Sequence, residues 1–418
     1  MKTIRPTLSS FLIMAVSGMF LILFSGCVFF KNGGSANSKD SERTSANDFP
    51  GSLIGYTELR TNLPGGRQAN VGTMRAMLVK PDGTGRAILK KDLNLSPDTM
   101  TQFVGWSPDG GTAIVGRMWK NPENARWEEE HKEFRNIKGE VLYDNYLINL
   151  TTGKATNVSA VERVSDYNGG LFYWPNDPSR LGFTALIGEI SHPFSMDLDG
   201  RHKTDLTKGS KDFTYGFNAS RDGKRIAYHR DYHIFIANAD GSDPRLIDTG
   251  NPFNFGPQWS PDGKWLLFVS GARNTKSNPY IVRSDGSGLK KIADRGGYKG
   301  SIEFLDVYDF HGGSSDIPVW SADGQSVFYT ALVGNNVELF QVDLSGKVEQ
   351  ITHSVEGTLH YHPEPSPDGR WLLFGSKRSG VRQLFVMRLS DHFEKQITSL
   401  TAGYAAMWAH WQPKGNKR

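Results

Sequence analysis

The sequence predicts an all-β protein assembled from a repeated four-stranded unit. Three observations carry that prediction. Glycine is abundant (46 of 418 residues) and aromatic residues make up 11% of a chain that is 38% hydrophobic, a profile suited to many turns around a real core. A strand–turn–strand pattern recurs: "GWSPDGGTAIVG" from Gly105, "NASRDGKRIAYH" from Asn218, "QWSPDGKWLLFV" from Gln258, "VWSADGQSVFYT" from Val319 and "EPSPDGRWLLFG" from Glu364, with a worn copy, "YWPNDPSRLGFT", from Tyr173. Each copy is followed by a second hairpin, such as "IFIANADGSDPRLI" from Ile234 or "LFQVDLSGKVEQIT" from Leu339.

The elements follow in chain order. Lys2 and Arg5 precede an apolar run from Phe11 to Phe24, and "LFSGC" ends at Cys27. A charged start, an apolar stretch and small residues before a cleavage point read as an export signal over residues 1–26. The cysteine after Ser25-Gly26 resembles the bacterial lipobox, which implies lipid on Cys27 and tethering to a bacterial membrane on its periplasmic or cell-surface side. An uncleaved membrane anchor is the alternative, because the apolar stretch runs on through Phe30. Cys27 is the one cysteine, so a disulfide within the chain is excluded. Residues 27–50 are rich in Ser, Asn and Gly beyond Phe30 and read as a flexible tether.

Residues 51–418 hold the repeats. We label the strands of one unit A to D. Asp-Gly turns at A–B and often at C–D suggest hairpins with positive φ at both central positions. A four-stranded unit of about 40–45 residues is a propeller blade. The body opens with "LIGYTELR" and "MRAMLVKPDGTGRAIL", which supply B, C and D without an A, and ends with "AHWQPKG", an A strand alone. Joined, they make one blade. The expectation is a seven-bladed β-propeller closed by both termini, a six-bladed ring being the alternative. A short helical insertion is expected near residues 121–138, with Asn121 as N-cap, Pro122 at the first helical position, and Trp127, His131 and Phe134 on one face. A second insertion, Gly296 to Ser315, is Gly-rich and aromatic.

The W-S-P-D-G-K/R turns with their following hairpins resemble the TolB-type, WD-repeat-like propellers of bacterial exported proteins, over about residues 51–415. The resemblance implies fold rather than function. TolB carries six blades behind a separate domain, so its role in the Tol system is not carried over.

In such a blade the A–B and C–D turns share one end, and the B–C and D–A loops share the other. Both insertions and most histidines map to the B–C end. His360 and His362 enter one strand A and His410 enters the next. Read as a regular strand, "HYH" puts both imidazoles on one face. The three are candidate ligands of a divalent metal, and His311, in the second insertion, is a candidate binding residue that can swing over the same opening. Phe103, Phe172, Tyr215, Phe255 and Tyr404 map to the mouth, suited to stacking on a sugar or gripping a peptide.

No Gly-x-Ser-x-Gly elbow, His-Glu-x-x-His helix, phosphate loop or dinucleotide fingerprint is present. A net charge of +4 without a basic run argues against nucleic acid. Two functional classes stay open. One is a monomeric binding or scaffold module for a protein, peptide or glycan. The other is a metal-dependent polysaccharide lyase, because "HYHPEPSPDG" is similar to the His-rich blade entry of oligogalacturonate lyase. That resemblance implies a metal on His360, His362 and His410. Arg378 or Arg382 would then meet the substrate carboxylate, and a base would take the adjacent proton.

Overall fold

A computed structural model describes residues 49, 53–64, 66–94, 99–131, 141–188, 190–272, 275–298 and 317–414. Cys27, the tether to residue 48 and His311 lie outside them.

Successive antiparallel meanders account for nearly all of the structure. The first contains β1 (Ile54–Arg60), β2 (Arg75–Val79) and β3 (Ala87–Ile88), with the short helix α1 (Gly66–Val71) between β1 and β2. Next come β4 (Thr99–Trp106), β5 (Thr112–Lys120), β6 (Val141–Asn149) and β7 (Ala155–Asn157), with α2 (Pro122–His131) between β5 and β6. Then follow β8 (Tyr167–Tyr173), β9 (Arg180–Ile187), β10 (Ile190–Asp197) and β11 (Thr204–Asp205). The pattern repeats in β12 (Thr214–Ala219), β13 (Arg225–Arg230), β14 (His233–Asn238) and β15 (Arg245–Ile247), and in β16 (Phe253–Trp259), β17 (Trp265–Ala272), β18 (Thr275–Arg283) and β19 (Lys290–Lys291). It recurs in β20 (Val319–Trp320), β21 (Ser326–Val333), β22 (Asn336–Asp343) and β23 (Val348–Gln350), and in β24 (His360–Pro365), β25 (Trp371–Ser376), β26 (Gln383–Arg388) and β27 (Glu394–Gln396). A single parallel pairing, Tyr143 with Tyr167, joins the β4–β7 and β8–β11 meanders into one sheet of eight strands.

The last strand, β28 (Tyr404–Trp411), pairs antiparallel with β1, from Ile54 opposite Trp411 to Arg60 opposite Tyr404. Gln412 fastens the pairing. Its amide donates to the Leu53 carbonyl at 2.8 Å, and its side-chain oxygen accepts from Leu53 N at 2.9 Å. The strand assigned to the chain's end therefore completes the first meander.

The A–B turns depart from expectation. In five repeats φ is positive, at 69–71°, at Gly110, Gly223, Gly263, Gly324 and Gly369, and the aspartates before them are not left-handed. The amide of each glycine donates to the serine carbonyl three residues back. This is a type I turn closed by a left-handed glycine, the shape of a longer hairpin loop. The serine explains the choice. Ser107, Ser220, Ser260, Ser321 and Ser366 each donate to the aspartate two residues on at 2.6 Å. The same serine oxygens accept the amide five residues on, at 2.9–3.0 Å. At Asp109, Asp222 and Asp323 the serine hydroxyl and a backbone amide hold the carboxyl below its usual range.

The core lies between meanders. Ile234 and Ile236 meet Leu266 and Phe268, Leu267 and Ile281 meet Val327 and Tyr329, and Phe328 and Leu339 meet Phe374 and Phe385. The β24–β27 meander in turn shares a cluster with the first one, through Trp371, Leu373, Ile54 and Met77. Phe49 stacks on Trp371 at 5.0 Å. Each such apolar side chain contributes about 1.5–3 kcal/mol on burial.

The α2 insertion begins as expected. Asn121 Oδ1 caps the helix, accepting from Glu123 N at 2.8 Å and more weakly from Asn124 N at 3.4 Å. Residues 132–140, with Phe134, lie outside the described residues.

Candidate functional site

The B–C end is built where the strands labelled A begin. Most of these strands carry a bulge there: register shifts between Gly169 and Phe172, Tyr215 and Asn218, Phe255 and Gln258, and Tyr361 and Glu364. The bulged residue is left-handed. In three strands it is glycine (Gly170, Gly216, Gly256), but in β24 it is His362, φ 49°, and in β28 it is Trp408, also 49°.

That bulge overturns the expected alternation of "HYH". His360 is buried, and its Nε2 lies 2.9 Å from Ser354 Oγ and 3.5 Å from Glu338 Oε2. His362 rests against Trp408, ring centroids 6.2 Å apart, and its Nδ1 accepts Trp408 N at 3.4 Å. His410 is held by Glu364, Nδ1 to Oε2 at 2.6 Å. Burial works against charging His410, but the charge and hydrogen bond of Glu364 outweigh it and raise its pKa. The three imidazoles thus have separate partners. Among the described residues, no group of three or more His, Cys, Asp or Glu side chains could hold a metal ion.

The other expected residues are also engaged. Arg378 pairs with Glu394 and lies 4.3 Å above the Phe385 ring. Arg382 is 5% exposed, and its carbonyl accepts Ala406 N at 3.1 Å. Tyr404 lies under the Arg60 guanidinium at 4.8 Å. Phe103 is buried against Gly55, where an added Cβ would come within 2.5 Å of its ring, and Phe172 covers Gly182 in the same way. These two rings are scaffold rather than mouth.

Ser354, His360 and Glu338 invite comparison with a catalytic triad. The geometry refuses it, because hydroxyl and carboxylate meet the same imidazole nitrogen while Nδ1 has no partner. Glu338 accepts from Thr352 Oγ1 at 2.6 Å, Ser354 N at 2.9 Å and Asn336 Nδ2 at 3.0 Å. Burial opposes its ionisation, but these bonds hold its carboxyl below the usual range. In the next meander Gln383 does the same work, accepting from Thr398 Oγ1 at 2.7 Å and Leu400 N at 3.0 Å. The cluster is a loop anchor.

A different assembly stands apart. His229, on β13, is 0% exposed and neither ring nitrogen has a hydrogen-bond partner. Around it stand Tyr232 (5.2 Å, interplanar 9°), Phe255 (5.0 Å), Tyr215 (5.9 Å) and Phe213 (5.9 Å). Phe253 continues the array beside Tyr232 at 4.9 Å. Burial among these rings pushes the pKa of His229 down to about 3, so the ring is neutral. Leaving its nitrogens unpaired costs about 1–3 kcal/mol each. Tyr215 and Phe255 were expected at this end. Phe213, Phe253, Tyr232 and the central role of His229 were not, although "FTYG" and "FNFG" repeat one pattern at the start of β12 and β16.

No family model matches the chain. An uncharacterized protein of Agrobacterium fabrum, Atu1656, is 29% identical over 191 residues, 38% of this chain and 63% of that one. An uncharacterized peptidase of Bacillus subtilis, YuxL, is 24% identical over 210 residues, 48% of this chain and 30% of that one. The matches thus cover less than two thirds of either relative. Among solved structures, an oligogalacturonate lyase in complex with manganese is similar with TM-score 0.53 and 13% identity, over 84% of this chain and 88% of that one. TolB from Acinetobacter baumannii is similar with TM-score 0.44 and 14% identity, over 76% and 83%. Both families named on sequence motifs are among the structural neighbours, and at 13% identity the likeness to the lyase is one of fold. Among the described residues, no helix is long and apolar enough to cross a membrane.

Proposed function

We propose that this chain is a seven-bladed β-propeller closed by both termini, exported and tethered through lipid on Cys27, that acts as a binding module through its B–C end. The observation that carries the binding role is the gathering of four aromatic rings around one buried, unpaired histidine there, with a fifth, Phe253, beside them. Support for the ring comes from the shared clusters between neighbouring meanders and from the pairing of β28 with β1. No observation favours the lyase alternative, since His360, His362 and His410 each have another partner among the described residues and Arg378 is paired.

The test uses the purified protein on peptide and glycan arrays. Binding that is lost in the Tyr215→Ala/Phe255→Ala double variant supports the reading. A protein that binds nothing but, with manganese, releases unsaturated uronate from polygalacturonate overturns it. For the ring, deleting residues 405–418 should abolish cooperative unfolding, and unchanged melting would refute closure.

A further inference from the structure

We propose that the ring cluster around His229 is a subsite for a neutral carbohydrate. This rests on the binding-module reading and gives it a ligand class. The scaffold itself does not call for a histidine there. His229 sits opposite Tyr215, the last pairing before the bulge of β12. The corresponding positions opposite Phe103, Gly169, Phe255 and Tyr361 hold Val115, Thr184, Val269 and Gly375. An imidazole has replaced a small side chain at a site that offers it no partner.

The backbone beside it is also unusual. The β13–β14 hairpin turns through Asp231 and Tyr232 with φ 46° and 63°, both left-handed and neither a glycine. Such a turn ordinarily takes Asn-Gly. Here it holds the Tyr232 ring parallel to His229. Strained backbone of this kind persists where its surroundings fix it, and it clusters at ligand sites.

The chemistry selects the ligand. A neutral imidazole offers one donor and one acceptor, and so does a hydroxyl group. Phe213, Tyr215, Tyr232 and Phe253 keep part of their rings exposed, while Phe255 is buried behind them. Apolar ring faces beside a donor–acceptor pair suit a sugar, which carries C–H faces and hydroxyls together. The rim is balanced in charge, with Lys211 and Arg230 against Asp212 and Asp231, and Arg230 within 3.9 Å of Asp212. That balance gives an acidic or basic ligand no advantage. Because His229 is fully buried under the Tyr232 ring, the proposal requires that ring, carried on the turn between β13 and β14, to be displaced when a hydroxyl reaches the imidazole.

The test is calorimetric titration of the purified protein with cellohexaose, maltohexaose, chitohexaose, trigalacturonate and an array-selected peptide. A neutral oligosaccharide should bind the unaltered protein, and Tyr215→Ala and His229→Leu should each weaken it by about tenfold or more. His229→Leu should at the same time raise the melting temperature, because it removes unpaired polar atoms. A leucine variant that binds as before, or that melts lower, refutes the assignment. So does failure of all three neutral sugars. Binding of trigalacturonate or the peptide alone would leave the binding-module reading standing and sink this one.

Discussion

Two histidines of this protein are buried alike and serve differently. His229 and His360 are both almost without exposure, and both have their pKa pushed down to about 3, by burial first in each case. His360 lies against Ser354 and Glu338, within a web of bonds that pins the β22–β23 strands to the start of β24. His229 has rings around it and nothing to bond. Burial and a displaced pKa alone therefore do not mark a site. What separates the two is that one ring nitrogen of His360 is bonded while neither of His229 is, and that a neighbouring meander does the anchor's work with another residue. Gln383 does so for Glu338; among the described residues, none does so for His229.

That contrast can be broken from either side. The largest effect is expected at the anchor. Glu338→Leu strands Thr352, Ser354 and Asn336 and should cost roughly 3 kcal/mol in urea unfolding, whereas Glu338→Gln should stay near the unaltered value because Gln383 already demonstrates the amide version. Equal losses in both would mean that the carboxylate's charge matters. Acid should come next. Each of the two histidines binds a proton more readily when unfolded, near pH 6.5, than when folded, so stability is full above that pH and falls as pH drops towards 3. Melting temperature measured from pH 7 to 4 should decline, and less steeply in His229→Leu. His410 runs the other way. Its raised pKa makes the Glu364 contact strongest below the unfolded value, and that contribution fades as pH rises through the folded one. Third, His229→Leu at pH 7 should gain about 1 kcal/mol, read in the same urea titrations. Smallest is Arg378→Met, which loses a partly exposed pair with Glu394 and should change stability by no more than about 1 kcal/mol.

The repeat was legible because its chemistry is local. The Ser-x-Asp-Gly turn encodes its own hydrogen bonds, so five copies announce five hairpins, and the missing strand at the start and the spare one at the end announce their pairing. The turn type was misread because Asp-Gly was weighed without the serine two residues earlier. The alternation of the paired histidines was misread for a different reason. Alternation along "HYH" holds only in an unbroken strand, and the bulge at His362 is set by how strand A bends against its neighbour. The ring cluster was half legible: Tyr215 and Phe255 lie on strands whose starts could be located, whereas Tyr232 belongs to a turn whose left-handed geometry Asp-Tyr does not advertise.

The β28–β1 pairing also has a kinetic meaning. Nearly the whole length of the body separates Ile54 from its partner Trp411. The entropy of closing so long a loop grows only slowly with length, but it must be met before the contact returns anything, and folds rich in such pairings form slowly. Until β28 arrives, one edge of β1 has no strand beside it, an open template for another chain. The amides of β1 should thus be among the last to gain protection from hydrogen exchange during refolding, and crowded refolding should be most error-prone in that interval.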